Sequence, residues 1–168
     1  MRKGVAVSPG VIVGRALVVD NAEGTVAEHV NPEESLSELE RLNAAIAAAE
    51  QELAALVSKV DAQVGAAEAD IFRSQQIILA DPSLVKKVKD EIVQRRLSAS
   101  SALEAVVNEY AAIFDKIDDE YLRHRMADVR DVMTRIRSHL HGAPGEGAQT
   151  GDEPVIIVAR EILPSQAL

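Results

Sequence analysis

The chain has 168 residues, 47% of them hydrophobic but only 2% aromatic, and a net charge of -9. It is long enough for one ordinary domain or two small ones, with a core that must be built from Ala, Val, Leu and Ile. The acidic balance argues against a nucleic-acid partner, and the absence of cysteine excludes disulfides, thiolate metal sites and a cysteine nucleophile. No apolar run approaches the roughly 20 residues that span a bilayer, and MRKGVAVSPG lacks the apolar stretch of a signal peptide. The expectation is a soluble, cytoplasmic protein with no membrane contact.

Residues Lys3 to Asp20 read as β structure, with Val5 and Val7 in one run and Val11, Val13, Ala16, Val18 and Val19 in a second. Ser8-Pro9-Gly10 between them suits a type II turn, and Gly14 points to a bulge or a close backbone approach. A polar linker runs from Asn21 to Val30. Asn31-Pro32-Glu33-Glu34 then carries helix-start grammar, with Asn as cap and Pro at the first helical position. Leu36, Leu39, Leu42, Ile46, Ala49, Leu53, Leu56, Val57 and Val60 follow at a period near 3.5, which predicts a long helix with a narrow apolar seam.

A second helix is expected over Ala66–Leu79, with Ile71, Phe72, Ile78 and Leu79 inward. Three consecutive apolar positions, Ile77-Ile78-Leu79, cannot all face one core at 100° per residue, so at least one should be exposed. Asp81-Pro82 repeats the cap-plus-proline signal and opens a third helix to about Gln94, through Leu84, Val85, Val88 and Ile92. Ser98 can cap a fourth, whose stripe is Leu103, Val106, Val107, Tyr110 and Phe114. A fifth starts at Asp118 or Asp119 and runs to Leu140, with Tyr121, Val129, Val132, Ile136 and Leu140 as its apolar stripe. Around that stripe runs a weave of charge: Arg123, Arg125, Asp128, Arg130, Asp131, Arg135 and Arg137. Glycines and a proline from His141 to Glu153 make a flexible connection, and Pro154–Ala159 reads as a buried strand.

The fold class is therefore α+β and mainly α, a helical block inserted into a small α/β unit. The division is 1–30 and 144–168 for a partial α/β unit, and 31–143 for the helical domain. A sheet this small buries little, so the α/β part reads as incomplete and the chain as truncated. His124, His139 and His141 read as solvated surface groups, since no HExxH-like pairing is present, and the acidic run 118–120 reads as charge complementing a helix dipole. The seam of the first helix reads as intramolecular core. The competing reading is a non-catalytic helical scaffold that assembles through that seam.

Four blocks then carry a resemblance. GVAVSPGVIVGRA, AEADIFRSQQIILADPSL, DDEYLRHRMADVRDV and VIIVAREILPSQ fall in order along nearly the whole chain, and they resemble enzyme I of the bacterial phosphoenolpyruvate:sugar phosphotransferase system. The resemblance implies a helical domain that docks the small phosphocarrier protein HPr, or a variant of it, inserted into a swivelling α/β phosphohistidine domain. It implies a phosphoenolpyruvate-protein phosphotransferase as the parent enzyme, with its active histidine in a GG-x-TSH-type motif that this sequence lacks. No catalytic residue and no cofactor is then expected within these residues, which alone would be inactive and monomeric. Mg²⁺ and a homodimer are expected only of the full-length family. Carried over residue by residue, the carrier-docking positions are Glu68, Ile71, Gln75, Ile77, Ile78, Asp81, Ser83, Leu84, Phe114, Leu122 and Arg125. Arg73, Gln75 and Ser83 stand where the family often has acidic residues or histidine.

Overall fold

A computed structural model describes residues 8–19, 27–114, 120–142 and 155–159, without the side chains of Val19 and of residues 120–124. In chain order the elements are β1 (Arg15–Val19), α1 (Ser35–Gln63), α2 (Ala66–Leu79), α3 (Pro82–Arg95), α4 (Ala99–Phe114), α5 (Glu120–Leu140) and β2 (Val155–Ala159). The two strands pair in parallel, Arg15 opposite Val155 through Val19 opposite Ala159, so the whole helical block is the crossover between them. The second predicted β run is shorter than expected, because Val11, Ile12 and Val13 are exposed and lie outside the strand. The first run, Val5 and Val7, lies outside the described residues. Gly10 has φ of 147°, where an L side chain is strained, but a Cβ on Gly14 would meet Ile156 only at ordinary contact distance. The expected burial of β2 fails: Ile157 and Val158 are exposed, since among the described residues no second layer covers the sheet.

The helix starts follow local chemistry. At α1 the chain turns at residues 32–34 and the helix begins at Ser35, three residues later than its Pro32 signal. Half of a capping box forms ahead of it: the Glu34 carboxylate accepts the Asn31 N–H at 2.8 Å, and the Asn31 carbonyl accepts the Glu34 N–H at 2.9 Å. Asp81 is extended at φ -70°, ψ 112°, and its carboxylate caps α3 by accepting the Ser83 N–H at 2.8 Å and the Ser83 hydroxyl at 2.7 Å. Arg96 ends α3 in the left-handed region at φ 56°, and the Ser98 Oγ then accepts the Ser101 N–H at the start of α4. A short antiparallel bridge ties the incoming chain to this corner: Val30 donates to the Arg96 carbonyl at 2.8 Å, and Ser98 donates to that of Glu28 at 2.9 Å.

One core runs through the helical block. α1 packs on all four other helices, and α5 packs on α1, α2 and α4. From α1 it takes Leu42, Ala45, Ala49, Leu53 and Val60, spaced by three, four and seven, with Leu39, Ile46, Leu56 and Val57 at the edges. The α1 seam is thus filled by the chain's own helices. Leu36, expected in that seam, is 71% exposed, and the buried position of the first turn is Glu38. The reason is tertiary. The Glu38 carboxylate accepts the Ala99 N–H at 2.8 Å and so caps α4 from another helix. Its other oxygen takes Arg41 Nη1 at 2.5 Å, and Arg41 Nη2 reaches the Leu140 carbonyl at the C-terminus of α5.

α5 departs most from its expected pattern. Met126, Val132, Met133 and Ile136 are buried and Val129 and Leu140 partly so, while the Tyr121 side chain lies outside the described residues. Asp131 and Arg135, expected in the charged surface weave, are inside the bundle at 0% and 5% exposure.

Leu53 is fully buried where α1 meets its neighbours, so Leu53→Ala should cost about 2–5 kcal/mol of unfolding free energy, read by urea denaturation at 25 °C. A loss below about 0.5 kcal/mol would show that Leu53 lies outside the core, since surface substitutions stay within that range.

Candidate functional site

The residues expected to bind a partner come from the two ends of α2, the first turn of α3, the end of α4 and the start of α5. Helix registers decide which of them meet. Gln75 on α2 contacts Asp131 on α5, and Leu79 shares a small apolar cavity with Met133 and Ile136, so α2 and α5 run side by side in the same direction. Glu68 and Ile71 therefore stand level with the first described turn of α5, where Arg125 lies. α4 runs opposite to α5, since Ser100 at the start of α4 meets His141 just past the end of α5 while Val107 further along shares a cavity with Arg130, and this brings Phe114 toward the Arg125 end of the bundle. Glu68, Ile71, Phe114 and Arg125 thus gather at one end, while Ile77, Asp81 and Ser83 follow along α2 to its break.

Exposure then sorts the individual positions. Ile71 is 46% exposed and Ile77 74%. Ile78 is partly buried and Leu79 fully so, as helical rotation required of this trio. Glu68, Asp81, Ser83 and Arg125 are exposed, and Phe114 is half-buried. The Leu122 side chain lies outside the described residues. Two expected surface positions are corrected: Gln75 and Leu84 are 0% and 4% exposed, so their side chains belong to the core. Leu84 is buried because the Asp81 cap sets the phase of α3, putting Leu84, Val88 and Ile92 on one inward stripe. Ile71, expected inward, lies instead at the edge of the α2 stripe formed by Phe72, Gln75 and Leu79. Sequence reasoning overlooked Ile113, exposed at 46% beside Phe114 on the last turn of α4; its signal was an apolar residue out of phase with the Val106–Val107–Tyr110–Phe114 stripe.

The charges around this face are mostly spoken for. Arg73, level with the α1–α2 corner, binds Asp61 at 2.8 Å and Asp70 at 2.6 Å and donates to the Ala66 carbonyl. Its guanidinium is held protonated above its ordinary range, chiefly by the Asp70 hydrogen bond. It clamps the hairpin and presents no independent positive charge. Lys87 is likewise raised, chiefly by Glu109 at 2.6 Å, and lies 5.0 Å from the centre of the Tyr110 ring. The Arg125 side chain is 45% exposed and lies 3.9 Å from the Asp128 carboxylate.

The cavities that register the helices hold about 30 and 10 Å³, room for a water molecule, while a more open hollow of about 250 Å³ lies against Arg41, Ala45, Ala48 and His139, where Arg41 and His139 are engaged with Glu38 and Glu52. Among the described residues no three His, Asp or Glu side chains converge as a metal site. The described histidines serve the fold. His29 Nδ1 lies 3.2 Å from the Arg95 carbonyl and His141 Nε2 lies 3.2 Å from the Ser100 hydroxyl. His139, expected on the solvated surface, is largely buried with its Nε2 2.7 Å from Glu52, which also takes Arg135. The side chains of His124 and of the acidic run 118–120 lie outside the described residues. No described helix is long and apolar enough to cross a membrane.

Residues 3–125 match the family described as PEP-utilising enzyme, N-terminal. The chain belongs to that family. It is 32% identical over 163 residues to the phosphoenolpyruvate-protein phosphotransferase of Staphylococcus aureus, covering 97% of this chain and 28% of that protein. It is 34% identical over 166 residues to the protein of the same name from Enterococcus faecalis, covering 98% of this chain and 29% of that one. The family chain thus spans a little over a quarter of the length of these relatives. Its fold is shared with a solution structure of an Enzyme I protein, at TM-score 0.74 and 28% identity, over 99% of this chain and 68% of the other. It is also shared with the N-terminal domain of Enzyme 1 - Nitrogen, at TM-score 0.70 and 25% identity, over 95% and 65%. The mainly helical architecture expected from the sequence is the architecture of Enzyme I N-terminal structures.

Asp81 supplies a pH test within this family fold. The Ser83 hydroxyl, then the backbone N–H groups of Ser83 and Leu84, hold its carboxylate below the ordinary range. A depressed folded-state value means the contribution is present above the unfolded-state value and is lost as pH falls through the folded one. Asp81→Ala should therefore lower the thermal midpoint at pH 7, and the gap to the unsubstituted protein should narrow and close as pH falls below the ordinary carboxylate range. A gap that is constant with pH would show that the ionised cap contributes nothing.

Proposed function

We propose that the exposed face running from Glu68 and Ile71 through Ile77 to Asp81, completed by Ile113, Phe114 and Arg125, docks a phosphocarrier protein of the HPr type, with Leu122 added as a docking position on the family resemblance alone. The single observation that carries the reading is the exposure of Ile71, Ile77 and Ile113 on α2 and α4, the two helices that pack on the Arg125 helix α5, although Leu36, Val64 and Val93 elsewhere on the helices are exposed as well. An apolar centre with charged neighbours is the anatomy of a protein interface, and Glu68 and Asp81 suit a basic partner rim. The names of the relatives supply the reaction: phosphoryl transfer from phosphoenolpyruvate to a protein.

In this reading the described residues do no chemistry. Phosphoryl transfer depends on in-line placement of the two reacting groups, and a docking module contributes that placement. The phosphorylated histidine is not one of the three described here, which are committed to Arg95, Ser100 and Glu52. Residues 31–143 form the docking domain, and β1 and β2 belong with 1–30 and 144–168 to an α/β part that carries the phosphohistidine in the parent enzyme. That enzyme works in the cytoplasm with magnesium bound in another domain.

Titrating isotope-labelled phosphocarrier with the chain tests this directly. Chemical-shift changes confined to one carrier face are expected, and none at millimolar protein would overturn the docking reading. Arg125→Glu should weaken the complex by more than about 1 kcal/mol, as for a charge facing a partner. An unchanged affinity would remove Arg125 from the interface.

A further inference from the structure

Gln75 and Asp131 form a polar joint inside an otherwise apolar helix contact. Gln75 lies at the centre of the buried α2 stripe, between Phe72 and Leu79, and is 0% exposed. Asp131 on α5 is 0% exposed and neighbours Val132 and Met133 in the core. The Gln75 Nε2 donates to Asp131 Oδ2 at 2.7 Å across 56 residues of chain. The other end of the amide is unsatisfied: Gln75 Oε1 is buried and has no hydrogen-bond partner among the described residues.

Stability alone does not account for such a pair. Burying an unsatisfied amide oxygen and a carboxylate is costly, and apolar side chains of the same size would fill the space at least as well. What the pair adds is direction. Apolar stripes tolerate small rotations of one helix against another, whereas a short hydrogen bond between two buried groups does not.

The rotation so fixed is that of α2 against α5, and these two helices carry the two halves of the exposed face. Ile71 and Ile78 border the stripe that Gln75 centres, Ile77 points away from it, and Arg125 stands six residues before Asp131 on α5. A helix with side chains is about 10–12 Å across, so a 20° turn of α2 moves its surface by about 2 Å. That is enough to spoil a preformed apolar contact.

We infer that the Gln75–Asp131 hydrogen bond is a positioning element that sets the spacing between Ile71/Ile77 on α2 and Arg125 on α5, and thereby the affinity for the phosphocarrier. The inference rests on the docking reading above. Neither residue touches the partner; both act through the surface residues they hold in register.

The test uses the 168-residue chain and the labelled phosphocarrier titration, with thermal unfolding of every variant measured alongside. The apolar pair Gln75→Met/Asp131→Leu removes the hydrogen bond and keeps the volume. It should unfold at or above the original midpoint and bind the carrier about fivefold or more weakly, the size of effect that buried coupling residues exert. Reversing the polarity in Gln75→Glu/Asp131→Asn, at a pH where the new glutamate is ionised, restores a bond of the same length and should bring affinity back to within about twofold. If the apolar pair does not fold, Gln75→Asn carries the test, since it withdraws the amide by one methylene and should show the same weakening. A folded apolar pair, or Gln75→Asn, that binds as tightly as the original overturns the inference, as does a reversed pair that stays as weak as the apolar one. A parent chain that binds no carrier overturns the docking reading itself, an outcome the variants do not confuse with the others.

Discussion

The helical block depends on how α5 disposes of two charges. Asp131 and Arg135 are inside the bundle, where an ion left alone is destabilising by several kcal/mol. Each is answered from another helix: Asp131 by the Gln75 amide of α2, and Arg135 by the Glu52 carboxylate of α1, which also takes His139. Arg135 Nε and Nη2 remain without partners among the described residues, so the arrangement is not an optimum of stability. It is a constraint on position. With both charges answered, α5 has one rotation and one height against α1 and α2, and the apolar residues Val132, Met133 and Ile136 fill what is left.

The helix ends obey the same logic at longer range. α4 takes a cap from its own Ser98 and a second from Glu38, 61 residues away on α1. Arg41, one turn further along α1, binds Glu38 and reaches the last carbonyl of α5. A carboxylate at a helix N-terminus and a guanidinium at a helix C-terminus both complement the helix dipoles, so one stretch of α1 fastens the ends of two other helices. The same demand turns the first turn of α1 so that Glu38 faces inward and Leu36 faces water.

The proposed docking face is what this packing leaves outside. Once Phe72, Gln75 and Leu79 are buried, Ile71 lies at the edge of α2 and Ile77 on its outer side. The Arg73 clamp to Asp61 and Asp70 neutralises the one cation on that helix, which leaves the face apolar with acidic neighbours. In the docking reading proposed above, a rigid helical face holds a partner in register better than a loop would. The small parallel pair β1–β2, with Ile157 and Val158 exposed, contributes little stability alone.

The amino-acid sequence by itself determined the elements with short-range causes. Asp81-Pro82 set the break between α2 and α3, Ser98 set the start of α4, and the glycine at 65 stands before an α2 whose limits, Ala66–Leu79, match the periodicity. The exposure of one residue in the Ile77–Leu79 trio followed from helix geometry alone. Family membership was legible too, because its motifs are contiguous blocks. Only the tertiary structure decided that Asp131, Arg135, Gln75 and Glu38 lie inside while Leu36 lies outside. Residue type predicts the reverse, since a charge prefers water and leucine prefers the core. The partners that overturn that preference sit 56 to 83 residues away, at Gln75, Ala99 and Glu52, and no local pattern carries their positions. Local propensity acts within a turn or two of helix, whereas the cost of an unpaired buried charge is settled only when distant helices meet.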